Sequence, residues 1–278
     1  MKVKCTTHAG ISILNAISSG FGCSMAIDLP LSVTVERSKE YSSNVINDEL
    51  IKAVILKMKE DYNVEGKYRV EVYSEIPPSR GLKSSSALSS ALTKAIAVLE
   101  GLEVSDEDLL RTACKASIEA GVSITGAYDD ACASFFGGIV LTDNYEMKII
   151  KKMEADEEIS VIVAYSELLP KSKVNVEAYE VFKPIGLKLK EIIESGDIYE
   201  AMVINGMLTA SAQNIDQSLS YEAMKLGAIA AGVTGTGPAI AILCNEDLKD
   251  ELVSLARRKG YNVIITRPTN KGCEVVKY

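Results

Sequence analysis

Apolar positions recur along this chain at two spacings, every second residue and every third to fourth, and the switches between them lay out strands and helices. In residues 2–35 short apolar runs alternate with small residues, as in Ala9-Gly10, Asn15-Ala16-Ile17, Met25-Ala26-Ile27-Asp28-Leu29 and Leu31-Ser32-Val33-Thr34-Val35. With Ser18-Ser19-Gly20-Phe21-Gly22 among them, the region predicts hairpin-connected strands and one exposed Gly/Ser loop. Residues 47–62 turn helical: Leu50, Ile51, Val54, Ile55 and Met58 share one side, lysines and acids the other. Alternation returns at 68–74 and predicts a strand that stops at Pro77-Pro78. Ala87, Leu88, Ala91, Leu92, Ala95, Ile96, Val98 and Leu99 then fall at helical spacing, with Gly101 where a left-handed C-terminal cap belongs.

A further helix opens at Ser105, with Asp106, Glu107 and Asp108 complementing the dipole of its first turn, and runs through Leu109, Leu110, Ala113 and Ala116 toward Glu119. Gly121 interrupts it. The continuous apolar run 159–164 predicts a buried strand, followed by helices over 176–194, 198–213 and 221–231. A glycine-rich turn entering an edge strand at 240–243, a helix over 247–259, a strand over 262–266 and a short terminal strand complete the pattern. This gives mixed strands and helices with no low-complexity linker or repeat between the halves.

One stretch concentrates chemistry. Pro77-Pro78-Ser79-Arg80-Gly81-Leu82-Lys83-Ser84-Ser85-Ser86-Ala87 joins the predicted strand to the predicted helix. The first turn of a helix leaves backbone N–H groups unpaired and carries partial positive charge, so an anion is stabilised there. Gly81 allows close backbone approach, the serines offer hydroxyl donors or a metal-facing oxygen, and Arg80 and Lys83 add charge. Ser84 could merely cap the helix, but three serines and two cations exceed what a cap needs and suit a polyphosphate.

Glu119 and the run Gly126-Ala127-Tyr128-Asp129-Asp130-Ala131-Cys132 form a second cluster, in which two acids open an apolar, small-residue helix. They could serve as an N-cap and a first-turn acid. In a phosphotransferase, one carboxylate accepts the acceptor's hydroxyl proton and another holds Mg²⁺ through hard oxygens. A third small-residue loop, Gly232-Val233-Thr234-Gly235-Thr236-Gly237-Pro238-Ala239, precedes the strand at 240–243.

In this order the three loops resemble the motifs of the GHMP kinases, whose phosphate loops read Pro-x-x-x-Gly-Leu-x-Ser-Ser-x-Ala. The resemblance implies an α+β, two-layer GHMP kinase fold, with a ribosomal-S5-like N-terminal half (1–155) and a ferredoxin-like C-terminal half (156–278). It implies ATP held by Pro78, Ser79, Arg80, Gly81, Leu82, Lys83, Ser84, Ser85, Ser86 and Ala87, supported by Gly235 and Gly237, with Mg²⁺ on Ser85 and Glu119. The catalytic base would be Asp129 or Asp130: counting back from Gly137 favours Asp130, and local wording favours Asp129. Asn15-Ala16-Ile17, Arg80-Gly81-Leu82-Lys83 and Thr234-Gly235-Thr236-Gly237-Pro238 look most like the archaeal-type shikimate kinase branch. That likeness implies phosphorylation of the shikimate 3-hydroxyl in chorismate and aromatic amino-acid biosynthesis. Another acceptor, homoserine or mevalonate, and a catalytically silent sensor remain alternatives. Arg80, Lys83, Arg267 and Lys4 are candidates for the cation that meets the substrate carboxylate.

Composition narrows the choice. With 278 residues, 47% hydrophobic, the chain can bury a substantial core, and its net charge of −8 argues against a nucleic-acid surface. No stretch approaches the ~20 apolar residues of a membrane span, and the start does not read as a signal peptide, so a cytoplasmic protein is expected. The six cysteines are scattered without a Cys-x-x-Cys pair, which predicts free, buried thiols rather than zinc ligands or disulfides. His8 is the single histidine, so acid/base work falls mainly to carboxylates or lysines. There is no Gly-x-x-x-x-Gly-Lys-Ser/Thr loop, protein-kinase catalytic loop or complete dinucleotide fingerprint.

Overall fold

A computed structural model describes residues 1–78, 80–166 and 174–278; Ser79, one of the expected phosphate-loop residues, lies outside them. The chain opens with β1 (Lys2–Leu14), β2 (Phe21–Ser38), the short β3 (Ser42–Ser43), α1 (Glu49–Tyr62), β4 (Lys67–Ser74), α2 (Ser84–Glu100), α3 (Asp106–Glu119), α4 (Tyr128–Phe136), β5 (Ile139–Asp143) and β6 (Lys148–Met153). It continues with β7 (Ser160–Tyr165), α5 (Val176–Val181), α6 (Lys183–Ser195), α7 (Ile198–Gln213), α8 (Ser218–Leu226), β8 (Ala230–Val233), β9 (Ile240–Cys244), α9 (Lys249–Arg258), β10 (Asn262–Thr266) and β11 (Glu274–Lys277).

These elements build two sheets. The first runs β11-β1-β2-β4-β3, with β5 on a second stretch of β2 and β6 beside β5. β2 is long enough to serve three partners, pairing β1 along its length, β4 through residues 31–38 and β5 through residues 21–25. The second sheet, β10-β7-β9-β8, is antiparallel throughout.

α2 lies across β1 and β2, and its composition explains how closely. Ala87, Ala91, Leu92, Ala95 and Ile96 are fully buried, and the alanines let the helix axis approach the strands. Each buried Leu or Ile contributes about 1.5–3 kcal/mol. Gly101 takes the left-handed C-cap at φ 70°, and Ser105 Oγ caps α3 by accepting from Asp108 N, both as expected.

The structure departs from the sequence pattern at several points. The helix expected over 176–194 divides at Phe182, because Pro184, lacking an amide hydrogen, fits only a first helical turn and starts α6. The helix expected over 221–231 ends at Leu226, where Gly227 takes φ 103°, and residues 230–233 become β8. Alanine favours helix, but here close packing overrides propensity: a Cβ on Gly232 would sit 2.9 Å from Gly206 Cα of α7. β9 is an inner strand, not an edge. The hairpin of β5 and β6 has no counterpart in the sequence reading.

All six cysteines are free, five of them buried. Among the described residues no helix is long and apolar enough to cross a membrane.

Candidate active site

The small-residue loops meet at the end of β1, and glycine is what lets them meet. Gly81 adopts φ 72° and Gly235 φ 62°, backbone conformations that L side chains resist. A Cβ on Gly81 would lie 2.4 Å from the Thr234 carbonyl oxygen, and one on Gly235 would lie 2.9 Å from Gly81 Cα. The phosphate-type loop and the third loop therefore touch backbone to backbone.

Ser12, on β1, ties the junction together. Its Oγ accepts from Gly235 N at 3.1 Å and from Lys83 Nζ at 2.7 Å, while its own N–H donates to Thr234 Oγ1 at 3.0 Å. Asn15 adds a bond from Nδ2 to the Gly235 carbonyl at 2.9 Å. Sequence reading missed Ser12; its only trace is a polar residue between Ile11 and Ile13 in a strand buried on both faces.

α2 starts at Ser84, and its N-cap is Lys83 at φ 66°, with no capping side chain and no acid in the first turn. The capping role considered for Ser84 is thus not taken. The first-turn N–H groups of Ser84, Ser85 and Ser86 are presented beside their hydroxyls, an arrangement that fits phosphate oxygens. Lys83 occupies a left-handed conformation at a cost of about 1–2 kcal/mol. Its ammonium is buried against Ser12 Oγ and Asp130 Oδ1, the latter at 2.9 Å.

Asp129 and Asp130 occupy the first turn of α4, whose N-cap is Ala127 in the left-handed region, so the N-cap alternative for Asp129 does not hold. Asp129 is buried: Asn144 Nδ2 donates to its Oδ1 at 2.8 Å, and Ser24 Oγ lies 2.9 Å from its Oδ2. Gly22 makes room for it, since a Cβ there would stand 2.5 Å from the Asp129 carboxyl carbon. Asp130 is less buried, with Ser24 Oγ 2.5 Å from Oδ1 and Lys83 as counter-ion. Burial, then the neighbouring Asp130 charge, push the Asp129 carboxyl up to about 7 against the opposing pull of Lys83, Asn144 and Ser24. Ser24 and Asn144 carried no sequence signal beyond being polar in or beside a strand.

A cavity of about 670 Å³ opens over this junction, a size suited to a nucleotide and a small acceptor. Pro78, Gly81, Leu82, Lys83, Ser84, Ser85 and Ser86 line it, as do Asp129, Asp130 and Gly235. Apolar Val45, Leu50, Val72 and Ile76 line it as well, together with polar Asn15, Ser123 and Thr125. Arg80, Ala87, Gly237 and Glu119 are not among the lining residues. Arg80 donates to the Ser166 carbonyl at 2.9 Å and stacks over Tyr165. Ala87 is core, and Gly237 packs against Ile215 and Val233. Glu119 ends α3 and pairs with Lys57 at 2.9 Å. Of the four cations considered for a substrate carboxylate, Lys83 alone lines this cavity; Arg267 lines a separate hollow of about 260 Å³ whose Glu246 is already paired with Ser160 and Lys249. His8 is buried and held neutral by desolvation, which lowers its pKa, and it does not reach the cavity.

The chain matches the family description "GHMP kinases N terminal domain" over residues 49–138 and "GHMP kinases C terminal" over residues 214–262. A shikimate kinase of Methanothermobacter thermautotrophicus is 31% identical over 100% of both chains. One of Pyrococcus abyssi is 36% identical over 86% of this chain and 90% of its own. The chain belongs to the GHMP kinases.

As a GHMP kinase it shares its architecture with solved structures at low identity. Homoserine kinase from Cytophaga hutchinsonii superposes with a TM-score of 0.74 at 18% identity, covering 99% of this chain and 97% of that one. A complex of MDDEF with MVAPP, AMPPCP and magnesium superposes with a TM-score of 0.74 at 18% identity, covering 100% and 99%. The expected α+β GHMP kinase fold is thereby found, and membership of the family carries the use of ATP.

Proposed function

We propose that this GHMP kinase transfers the γ-phosphoryl group of ATP to the 3-hydroxyl of shikimate. The observation that carries the acceptor is the full-length likeness to shikimate kinases at 31–36% identity, on a chain whose motif loops close over one cavity. In this reading an N-terminal half, 1–155, supplies the phosphate loop, a C-terminal half, 156–278, supplies the third loop, and the nucleotide lies between them.

The chemistry follows from positioning and charge. The first turn of α2 and the Ser84–Ser86 hydroxyls hold the β- and γ-phosphates, and the ammonium of Lys83 faces the transferring group. Apolar residues of the lining take the base, and polar ones take the acceptor. Asp130 is the base: its carboxylate stands 2.9 Å from Lys83, so a hydroxyl bonded to it lies beside the phosphate end. Asp129, deeper under Gly22, supports it.

Hard oxygens suit Mg²⁺, and Ser85 at the start of α2 and Glu119 at the end of α3 carry two of them. A short connection makes α2 and α3 antiparallel neighbours, and Ser117 Oγ lies 3.4 Å from Ser89 Oγ, which brings the end of α3 toward the start of α2. Ser85 and Glu119 are therefore our assignment for the metal, with Glu119 leaving Lys57 to serve. When bound, Mg²⁺ neutralises charge on the transferring phosphates.

A coupled ADP-release assay with Mg·ATP and shikimate, homoserine, mevalonate and galactose tests the reading. Turnover with shikimate alone is expected. Turnover only with another acceptor would keep the phosphate site and discard shikimate, and ATP binding without turnover on any acceptor would leave a sensor.

A further inference from the structure

Ser24 stands between the two aspartates with a single hydroxyl hydrogen to share. Its Oγ is 2.9 Å from Asp129 Oδ2 and 2.5 Å from Asp130 Oδ1. With both carboxylates ionised, the hydroxyl donates to one and sets bare lone pairs against the other. One additional proton on the pair satisfies both contacts at once.

The surroundings decide where that proton rests. Asp130 has the Lys83 ammonium at 2.9 Å. Among the described residues Asp129 has no cation in contact; its other oxygen takes the neutral Asn144 amide. Among the described residues, the other titratable groups facing it are the buried thiols of Cys23 on β2, Cys114 on α3 and Cys132 on α4, whose pKa values burial raises, so they stay neutral. Negative charge is thus favoured on Asp130 and the proton on Asp129, in line with the raised affinity of Asp129 for a proton.

We propose that Ser24 joins the aspartates into one proton-accepting unit, passing the proton released by the acceptor hydroxyl from Asp130 to Asp129. The inference rests on the kinase reading above and extends it. As the acceptor oxygen bonds to the γ-phosphorus and the bond from phosphorus to the ADP oxygen breaks, the hydroxyl proton arrives on the Asp130 carboxylate. Asp130 then gives it to Ser24 Oγ while the original Ser24 hydrogen moves to Asp129 Oδ2. Asp130 is left ionised beside Lys83, Ser24 is restored, and Asp129 is neutral until product leaves and the proton passes to water. Ser24 touches neither substrate in this scheme and is a positioning residue. Asp129 must be ionised to receive, so kcat rises with pH as it deprotonates near pH 7.

The test compares wild type, Ser24→Ala, Ser24→Thr, Asp129→Asn and the double variant S24A/D129N in steady-state kinetics across pH 5–9. Ser24→Ala is expected to lower kcat by ~10²-fold, the low end of general-base contributions, with KM for ATP and acceptor within about threefold. Its acid limb near pH 7 should vanish, and Ser24→Thr should restore both. Because relay and receiver act as one unit, Ser24→Ala should add almost nothing to Asp129→Asn. That cycle remains decisive if the extra methyl group of threonine unfolds the chain. Wild-type turnover with an unaltered kcat and acid limb in Ser24→Ala, or an equal Ser24→Ala loss in the Asp129→Asn background, overturns the relay and leaves the kinase reading standing. A wild type inert toward every acceptor overturns both.

Discussion

Gly81 and Gly101 share nearly the same backbone conformation, φ 72° and φ 70°, but not the same surroundings. That pair separates the cost of a conformation from the cost of a contact. Alanine at Gly101 meets nothing within 4 Å, so Gly101→Ala costs only the left-handed conformation, about 1–2 kcal/mol. Alanine at Gly81 carries the same cost and also drives its methyl to 2.4 Å from the Thr234 carbonyl oxygen, a backbone atom that cannot swing aside. Overpacking of that kind costs typically ~1–3 kcal/mol more, giving about 2–5 kcal/mol in all. For a chain of this size 1 kcal/mol moves Tm by roughly 2–4 °C, so the expected falls are roughly 2–8 °C for Gly101→Ala and roughly 4–20 °C for Gly81→Ala. Relief of the clash has to part the two loops, so Gly81→Ala should also raise KM for ATP at least ~10-fold through misplacement, while Gly101→Ala leaves it unchanged. Thermal denaturation and ATP titration of the two variants decide it. Equal Tm losses, with ATP KM intact in both, would refute the claim that backbone contact between the loops shapes the site.

Lys83→Met leaves the Asp130 carboxylate buried without its counter-ion; a stability loss of about 3–5 kcal/mol by denaturant titration is expected, together with weaker ATP binding. Glu119→Gln removes one partner of a half-exposed pair with Lys57, worth under ~1 kcal/mol, so Tm should barely move; the Mg²⁺ concentration for half-maximal rate should rise at least ~10-fold, and an unchanged metal requirement would take Glu119 out of the site. The carboxyl of Asp129 binds its proton more tightly folded, with pKa about 7, than unfolded at about 3.9, so its contribution to stability is greatest below pH ~4 and is lost as pH rises to ~7. Stability curves of Asp129→Asn and wild type should therefore diverge between pH 4 and 7 in favour of the variant, and parallel curves would contradict a raised Asp129 pKa.

What the chain discloses in advance is what depends on local order. α1, α2 and α3 follow from apolar spacing and from caps at Ser105 and Gly101, all set within a few residues. The phosphate-type loop is legible for the same reason, as Gly81 through Ser86 are contiguous. Residues that complete the junction come from far away in sequence and look ordinary where they stand. Ser12 bonds Gly235 and Lys83, and Ser24 bridges Asp129 and Asp130 from another strand; no spacing rule links such positions. Asp129 and Asp130, adjacent in sequence, are likewise told apart only by depth: they differ in whether Gly22 or Lys83 faces them. β8 was misread because alanine and glycine are chosen there for contact with α7, a tertiary demand that local propensity does not carry.

The first sheet does not close upon itself. β11 pairs with β1 from Val3↔Lys277 to Thr6↔Glu274, and the segment leading to it is stitched in on the way: Asp28 N donates to the Arg267 carbonyl and Gly138 N to that of Thr269. Strands drawn from opposite ends of the sequence thus share one edge. A fragment cut near residue 155 would leave β1 with a row of unpaired amides and carbonyls facing outward, the kind of margin that recruits strands from other molecules. Pairing this distant also slows assembly, since the loop between partners must close before the contacts form. The two halves can be named separately, but separated physically the first would be a sheet missing its selvedge, prone to fraying and to joining cloth that is not its own.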